Sequence, residues 1–127
     1  MNADMPAGVG GNGLGPTPGV YGRAALGSCL AIGYMMKAAE LEIPIISLEV
    51  EVEADFDNGA LFGTADKNVP AGYLEIRYTV NIESDAANEK IMQLLDDGDA
   101  HSPYLDTFTR AQKCIRKVNI NSAKNLS

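Results

Sequence analysis

The sequence predicts an α+β domain in which an antiparallel sheet packs against a long helix. Residues 18–41 are small or apolar on nearly every helical face, whereas residues 46–57 and 73–83 alternate apolar and polar side chains. A strand with one apolar and one polar face is half-buried, which is typical of an antiparallel sheet with one face in water. The predicted order is long helix, strand, strand, helix, short helix and strand.

The long helix begins at a clear capping signal. Thr17 followed by Pro18 is a favourable pair for the N-cap and the first helical position. The only charges in this helix are Arg23, Lys37 and Glu40. A helix that is apolar all round is buried on all sides. In so short a chain this predicts a sheet on one side and the second subunit of a homodimer on the other.

The other segments are assigned from turn residues and capping residues. Residues 1–16 are rich in glycine and are predicted to be a flexible or irregular lead-in, and residues 58–72 to be a loop. Ser84 or Asp85 is predicted to cap a second helix that runs to about Asp97 and is ended by Gly98. A short helix or turn follows from His101 to about Thr109. Residues 112–120 are predicted to form the last strand of a domain spanning 17–120, and 121–127 a tail.

Composition narrows the class of protein. The 127 residues suit one domain, and 17 acidic against ten basic residues give a net charge of -7, which argues against nucleic-acid binding. No apolar run is long enough to span a bilayer, and we see no secretory signal, so we expect a cytoplasmic protein. Two cysteines and one histidine argue against a disulfide framework and a structural zinc site. We expect no metal and no cofactor.

The charges are unevenly distributed. Residues 49–106 hold 14 acidic and three basic side chains, whereas residues 107–127 hold five basic side chains and no acidic one. The basic segment could bind an anionic partner. The favoured interpretation is that the last strand lies beside the acidic strand and that the charges pair across them.

Cys29 is the residue best suited to carry chemistry. It lies in the middle of the predicted long helix, with the small residues Gly22, Ala25 and Gly33 at helical spacing, so another group can approach the sulfur. The surroundings are otherwise apolar, which disfavours a thiolate unless a cation is supplied. The alternative is a small hydrophobic cysteine packed in the core.

Such a cation has to come from another segment. Eleven residues separate Pro18 from Cys29, about 16 Å at the α-helical rise, and the helix dipole acts only within the first turn. Arg23 lies about 120° around the helix from Cys29, so the two do not share a face within one subunit. A lone loop histidine is usually only solvated, so a role as base is the weaker interpretation of His101. The candidate cations are Arg23, Arg77, Arg110 and His101.

Three stretches of the chain resemble the OsmC/Ohr family. They are AALGSCLAIGYMMKAAELEIPIISLEVEVEADFD, PAGYLEIRYTVNIESDA and HSPYLDTF, and the resemblance covers roughly residues 16–120. It implies an intertwined homodimer in which curved antiparallel sheets wrap around long central helices. It also implies a thiol-dependent peroxidase that reduces organic hydroperoxides, with a lipoyl protein or another thiol as reductant.

The resemblance assigns roles to single residues. Cys29 matches the family's reactive cysteine, and Ser102 stands where the family has a resolving cysteine before a proline. Gly19 follows Pro18 where the peroxidase motif has a glutamate. The glycine-rich lead-in stands where N-terminal strands would supply an activating arginine. Cys114 is then either a substitute resolving thiol or, as the alternation of the last strand favours, a core residue.

Two functions remain open from the sequence. The first is a hydroperoxide reductase that works through Cys29 alone and uses an external thiol as reductant. The second is a non-catalytic dimeric homologue that binds a small apolar ligand between its helices. If Cys29 has only a structural role in the core, it supports neither of these functions.

Overall fold

The computed structural model describes residues 1–122 and confirms the predicted α+β class. A single turn of 3-10 helix at Ala7–Val9 precedes the regular elements. These are α1 (Pro18–Glu40), β1 (Ser47–Asp55), α2 (Asn58–Phe62), β2 (Glu75–Glu83), α3 (Asn88–Ala100) and α4 (Pro103–Thr109). None of the helices in this part of the chain is both long and apolar enough to cross a membrane.

Helix α1 is the centre of the fold, and it begins where the sequence predicts. The Thr17 side chain accepts a hydrogen bond from the Val20 backbone N–H at 3.3 Å. The buried residues of α1 recur every four positions and so form one stripe: Leu26, Leu30, Tyr34 and Ala38. The opposite face stays open, since Ile32 is 61% and Met36 68% exposed. The chain alone therefore does not bury α1 on all sides.

Strands β1 and β2 form a two-stranded antiparallel sheet, with Val52 paired to Tyr78 and Glu53 to Arg77. Their apolar faces are half-buried and pack against the buried stripe of α1. Their other faces, which carry all six acidic residues of the two strands, are exposed. The predicted alternation is confirmed, although both strands are shorter than predicted.

The boundaries of α3 differ from the prediction. The helix begins at Asn88, so neither Ser84 nor Asp85 caps it; the N-cap is Ala87, whose methyl side chain cannot accept a hydrogen bond, and the Ser84 hydroxyl donates to the Pro44 carbonyl. Gly98 does not end the helix but lies inside it and is buried. A Cβ at this position would stand 2.5 Å from Cδ1 of Tyr34, so glycine lets α3 approach the tyrosine ring closely.

Two segments predicted without regular structure are partly ordered. Within residues 58–72, which were expected to be a loop, Asp57 caps the short helix α2 by accepting from the Ala60 N–H at 3.0 Å. In the lead-in, the Asp4 carboxylate accepts from the backbone N–H groups of Leu14, Met5 and Asn12. These hydrogen bonds, that from Leu14 above all, hold the pKa of Asp4 below its usual value.

The predicted last strand is wrong. Residues 111–122 are exposed and form no strand, and Ile115, Val118 and Ile120 remain 71%, 60% and 85% exposed. Basic residues fall on both faces of this stretch, so neither face is apolar enough to pack on the core. The predicted pairing of its charges with the acidic strand is therefore wrong as well. Residues 123–127 of the predicted tail lie outside the described residues.

Candidate active site

The structure brings Cys29 and Ser102 together. The Cys29 sulfur lies in the middle of α1, half-buried, and 3.3 Å from the hydroxyl oxygen of Ser102. Ser102 is 5% exposed and caps α4, where its oxygen accepts from the Leu105 N–H at 3.3 Å. The helix cap uses a lone pair of the Ser102 oxygen and not its proton, so the Ser102 hydroxyl can donate that proton to the Cys29 sulfur.

The sulfur faces an open groove of about 630 Å³ between α1 and the α3–α4 turn. One part of its lining is small or apolar, and the other carries both signs of charge. The small and apolar residues include Ala25, Ile32, Gly33, Met36 and Pro103. The polar residues are Ser28, Lys37, Glu40, Asp97, His101, Ser102 and Tyr104. Cys29 is therefore neither sealed in the core nor freely exposed.

The three candidate arginines lie elsewhere. The Nη1 atom of Arg23 lies near Gly19, 3.3 Å from where a Cβ of that glycine would stand. Gly19 is ten residues before Cys29, about 15 Å along the helix. Arg110 pairs with Asp106 through Nη2 at 2.9 Å. Within residues 1–122, no cation is hydrogen-bonded to the Cys29 sulfur.

Arg77 is held on the outer face of the sheet. Its guanidinium contacts Asp55 at 2.8 Å, Glu75 at 3.0 Å and Glu53 at 3.6 Å. The hydrogen bond to Asp55 raises the pKa of Arg77 and lowers the pKa of Asp55. This cation therefore pairs with carboxylates on the outer face of the sheet and does not reach the thiol.

His101 does line the groove, although it is exposed. Its Nδ1 lies 2.8 Å from the Asp97 carbonyl oxygen. Because a carbonyl oxygen only accepts, Nδ1 carries the proton, and Nε2 of the neutral ring is the free acceptor. His101 can therefore act as a base toward a group bound in the groove.

Lys37 also lines the groove, although it is not among the candidate cations predicted from the sequence. It lies eight residues after Cys29 on the same side of α1, and its Nζ contacts Glu40 at 3.0 Å. The sequence could have predicted its place near this groove, because residues four and eight positions apart lie on neighbouring parts of a helix surface.

Cys114 is not part of this site. It lies in the irregular segment 111–122 and is exposed, so its predicted place in the core is wrong. Both Cys29 and Cys114 are free thiols. Residues 1–122 contain no group of three or more His, Cys, Asp or Glu side chains placed to hold a metal ion.

The first turn of α1 is covered by a tyrosine that the sequence did not single out. The Tyr73 hydroxyl donates to the Gly19 carbonyl oxygen at 2.8 Å. It also lies 3.2 Å from where a Cβ of Gly22 would stand. Tyr73 therefore occupies the space over the first turn of α1, beside Gly19 and Gly22.

Comparison with known proteins identifies the family. The sequence model of the OsmC-like proteins matches residues 10–115, which is most of the chain. The chain belongs to the OsmC-like family. No curated protein is significantly similar to it in sequence.

Solved structures share its fold at low sequence identity. An OsmC-like protein from Mycoplasma pneumoniae is 19% identical with a TM-score of 0.69, over 83% of this chain and 68% of that one. An OsmC-like hydroperoxide resistance protein from Jannaschia sp. ccs1 is 16% identical with a TM-score of 0.69, over 88% and 72%. An organic hydroperoxide resistance protein OsmC from Legionella pneumophila is 16% identical with a TM-score of 0.57, over 83% and 70%. The OsmC-like fold is thus shared with these structures.

Proposed function

We propose that this OsmC-like protein reduces organic hydroperoxides through Cys29 alone, with an external thiol as reductant. The observation that carries the proposal is the half-buried Cys29 sulfur, which faces a groove and lies 3.3 Å from the Ser102 hydroxyl. Two structural neighbours from other organisms are hydroperoxide resistance proteins, which supports the choice of substrate class. Serine at position 102 cannot form a disulfide, so the second thiol has to come from outside.

The reaction balances with one hydroperoxide and two external thiols. The Cys29 thiolate attacks the terminal oxygen of the hydroperoxide; an S–O bond forms, the O–O bond breaks, and the alkoxide takes up a proton and leaves as an alcohol. The sulfur is thereby oxidised to a sulfenic acid. A first external thiol forms a mixed disulfide and releases water, and a second restores the Cys29 thiol and leaves as the external disulfide.

The groove supplies groups for both half-reactions. The Ser102 hydroxyl is placed to donate to the sulfur or to an oxygen bound to it, and the Nε2 atom of His101 can accept a proton from an incoming thiol. Lys37 also lines the groove, but it is paired with Glu40 and lies about 12 Å along α1 from Cys29, so it is not placed to stabilise the thiolate directly. The apolar lining by Ile32 and Met36 suits the organic part of a hydroperoxide.

A second candidate function is a non-catalytic protein that binds a small apolar ligand in the same groove. The observation that favours it is that no cation within residues 1–122 is hydrogen-bonded to the Cys29 sulfur. Equal binding of an apolar fluorescent probe by the unmodified chain and Cys29→Ser, together with absent hydroperoxide turnover, would select this function.

Turnover of cumene hydroperoxide in the presence of dithiothreitol tests the enzyme directly. We expect Cys29→Ser to abolish consumption of the hydroperoxide, because the serine hydroxyl is far less nucleophilic than a thiolate. Cys114→Ser is the matched control and is expected to keep full activity, because Cys114 is exposed and lies outside the groove. Equal rates for the two variants would contradict the proposal.

We also propose that the chain works as a homodimer. The outer face of α1, defined here as Ile32, Met35, Met36 and Ala39, is exposed and continues into an apolar depression that reaches the start of β1. Ile32 and Met36 also line the Cys29 groove. A second copy seated on this face would cover apolar surface and close one side of the groove.

The proposed cycle belongs in a reducing compartment, and we place the protein in the cytoplasm. Both cysteines are free thiols, and the cycle consumes an external thiol at each turn. We propose no role for a nucleic acid, a membrane, a metal or an organic cofactor.

A further inference from the structure

Asp99 links three elements at the end of α3. Its two carboxylate oxygens accept hydrogen bonds from Tyr34 of α1 at 2.5 Å and from Tyr78 of β2 at 2.9 Å. Its backbone carbonyl accepts from the N–H of Ser102 at 3.3 Å. One residue thus joins the central helix and the sheet to the turn that carries Ser102.

The surroundings make this link specific. Tyr34 is 1% exposed, so its hydroxyl needs a partner within the fold, and Asp99 supplies it. The Tyr34 ring lies against the backbone of Gly98, where no Cβ would fit. Burial, together with the Asp99 carboxylate, raises the pKa of Tyr34 and raises the pKa of Tyr78 to about 12. Both phenols therefore remain protonated and donate at neutral pH.

The Asp99 link lies beside the candidate active site. Tyr34 follows Cys29 by five residues on α1, and Ser102 follows Asp99 by three. The pairs Tyr34–Asp99 and Cys29–Ser102 thus connect the same two stretches of chain about one helical turn apart. A shift of Asp99 away from Tyr34 would carry the α3–α4 turn, and with it Ser102, away from the sulfur.

We propose that Asp99 is the positioning residue of the site: by holding Tyr34 and Tyr78 it sets the distance between the Cys29 sulfur and position 102. Asp99 does not itself line the groove or contact the sulfur, and it acts through the turn, where its carbonyl holds the Ser102 N–H. The inference deepens the proposed function, but it concerns geometry and holds whether or not the protein turns over hydroperoxides.

The test measures that distance through a disulfide. In a chain carrying Ser102→Cys and Cys114→Ser, Cys29 and the introduced thiol are equilibrated with reduced and oxidised glutathione, and the effective concentration of the pair is determined. We expect Asp99→Ala, which removes the hydrogen bonds from both Tyr34 and Tyr78, to lower the effective concentration about tenfold. Asp99→Asn retains one acceptor oxygen, so its effective concentration is expected to fall between that of the chain with Asp99 and that of Asp99→Ala.

Asp96→Ala is the matched control, since it removes the same charge from an exposed position of α3 and should leave the effective concentration unchanged. Tyr78→Phe removes only one of the two hydrogen bonds to Asp99. It replaces Asp99→Ala in the experiment if near-ultraviolet circular dichroism shows that Asp99→Ala is not folded. It is expected to lower the value about threefold. Equal effective concentrations in the Asp99 or Tyr78 variant and the control would overturn the inference. Because no hydroperoxide is used, this result is independent of peroxidase activity.

Discussion

Replacing Ser102 with cysteine is expected to convert the single-thiol site into a disulfide-forming one. The Cys29 sulfur and the Ser102 oxygen are already 3.3 Å apart, and a disulfide needs an S–S distance of about 2.05 Å, so only a small movement is required. In a Cys114→Ser background, one equivalent of cumene hydroperoxide should consume both thiols of the Ser102→Cys variant. The parent should lose one thiol and retain a sulfenic acid. Thiol titration and mass spectrometry under non-reducing conditions distinguish these products.

Ser102→Ala is the control for this change. It removes the same hydroxyl and the same cap of α4, at a cost of about 1 kcal/mol in stability, but it cannot form a disulfide. It should therefore lose only one thiol per chain. A Ser102→Cys variant in which the introduced thiol stays free while Cys29 is oxidised would show that the two positions do not meet in solution.

Met36→Glu is expected to separate the proposed dimer into monomers. Met36 is 68% exposed in the single chain and lies on the outer face of α1. If a second copy covers that face, an unpaired carboxylate there carries a desolvation penalty of several kcal/mol. Light scattering coupled to size exclusion should give twice the 13.5 kDa chain mass for the unmodified protein, and the mass of one chain for the variant.

Met92→Glu is the matched control for the dimer. Met92 is 55% exposed on α3 and lies outside both the outer face of α1 and the Cys29 groove, so this variant should remain a dimer. An unmodified chain that elutes with the mass of one subunit would contradict the proposed dimer. So would a Met36→Glu variant that keeps twice that mass.

The elements that the sequence predicts well are those whose signal is local. Strands β1 and β2 alternate cleanly because one face meets α1 and the other meets water, and Thr17-Pro18 marks the start of α1 by its own chemistry. Gly98 shows the opposite case. It resembles a helix end, but it is required inside α3 by the ring of Tyr34, a contact 64 positions away in the chain.

The segment 112–120 shows how a strand pattern can fail. Val118 and Ile120 suggest a strand, but Arg116 shares their face, and no neighbouring strand within residues 1–122 pairs with this stretch. A strand forms only when it can pair with the edge of a sheet and pack one face on the core. Neither condition can be predicted from the sequence of the segment alone.

For the candidate site, helical spacing singled out Cys29 and the resemblance to the family added Ser102, but the residues alone did not indicate that the two side chains meet. Lys37 could have been predicted to line the groove from its helical spacing to Cys29. The link from Asp99 to Tyr34 and Tyr78 was not, because it joins three elements whose relative placement depends on the packed core.

The proposed function requires that a hydroperoxide oxidise the Cys29 sulfur beside Ser102. The most direct test treats the Cys114→Ser chain with one equivalent of cumene hydroperoxide, without reductant and in the presence of dimedone, followed by peptide mass spectrometry. We expect one dimedone adduct per chain, on Cys29, formed as the hydroperoxide disappears. An unmodified Cys29 thiol beside unconsumed hydroperoxide would contradict it.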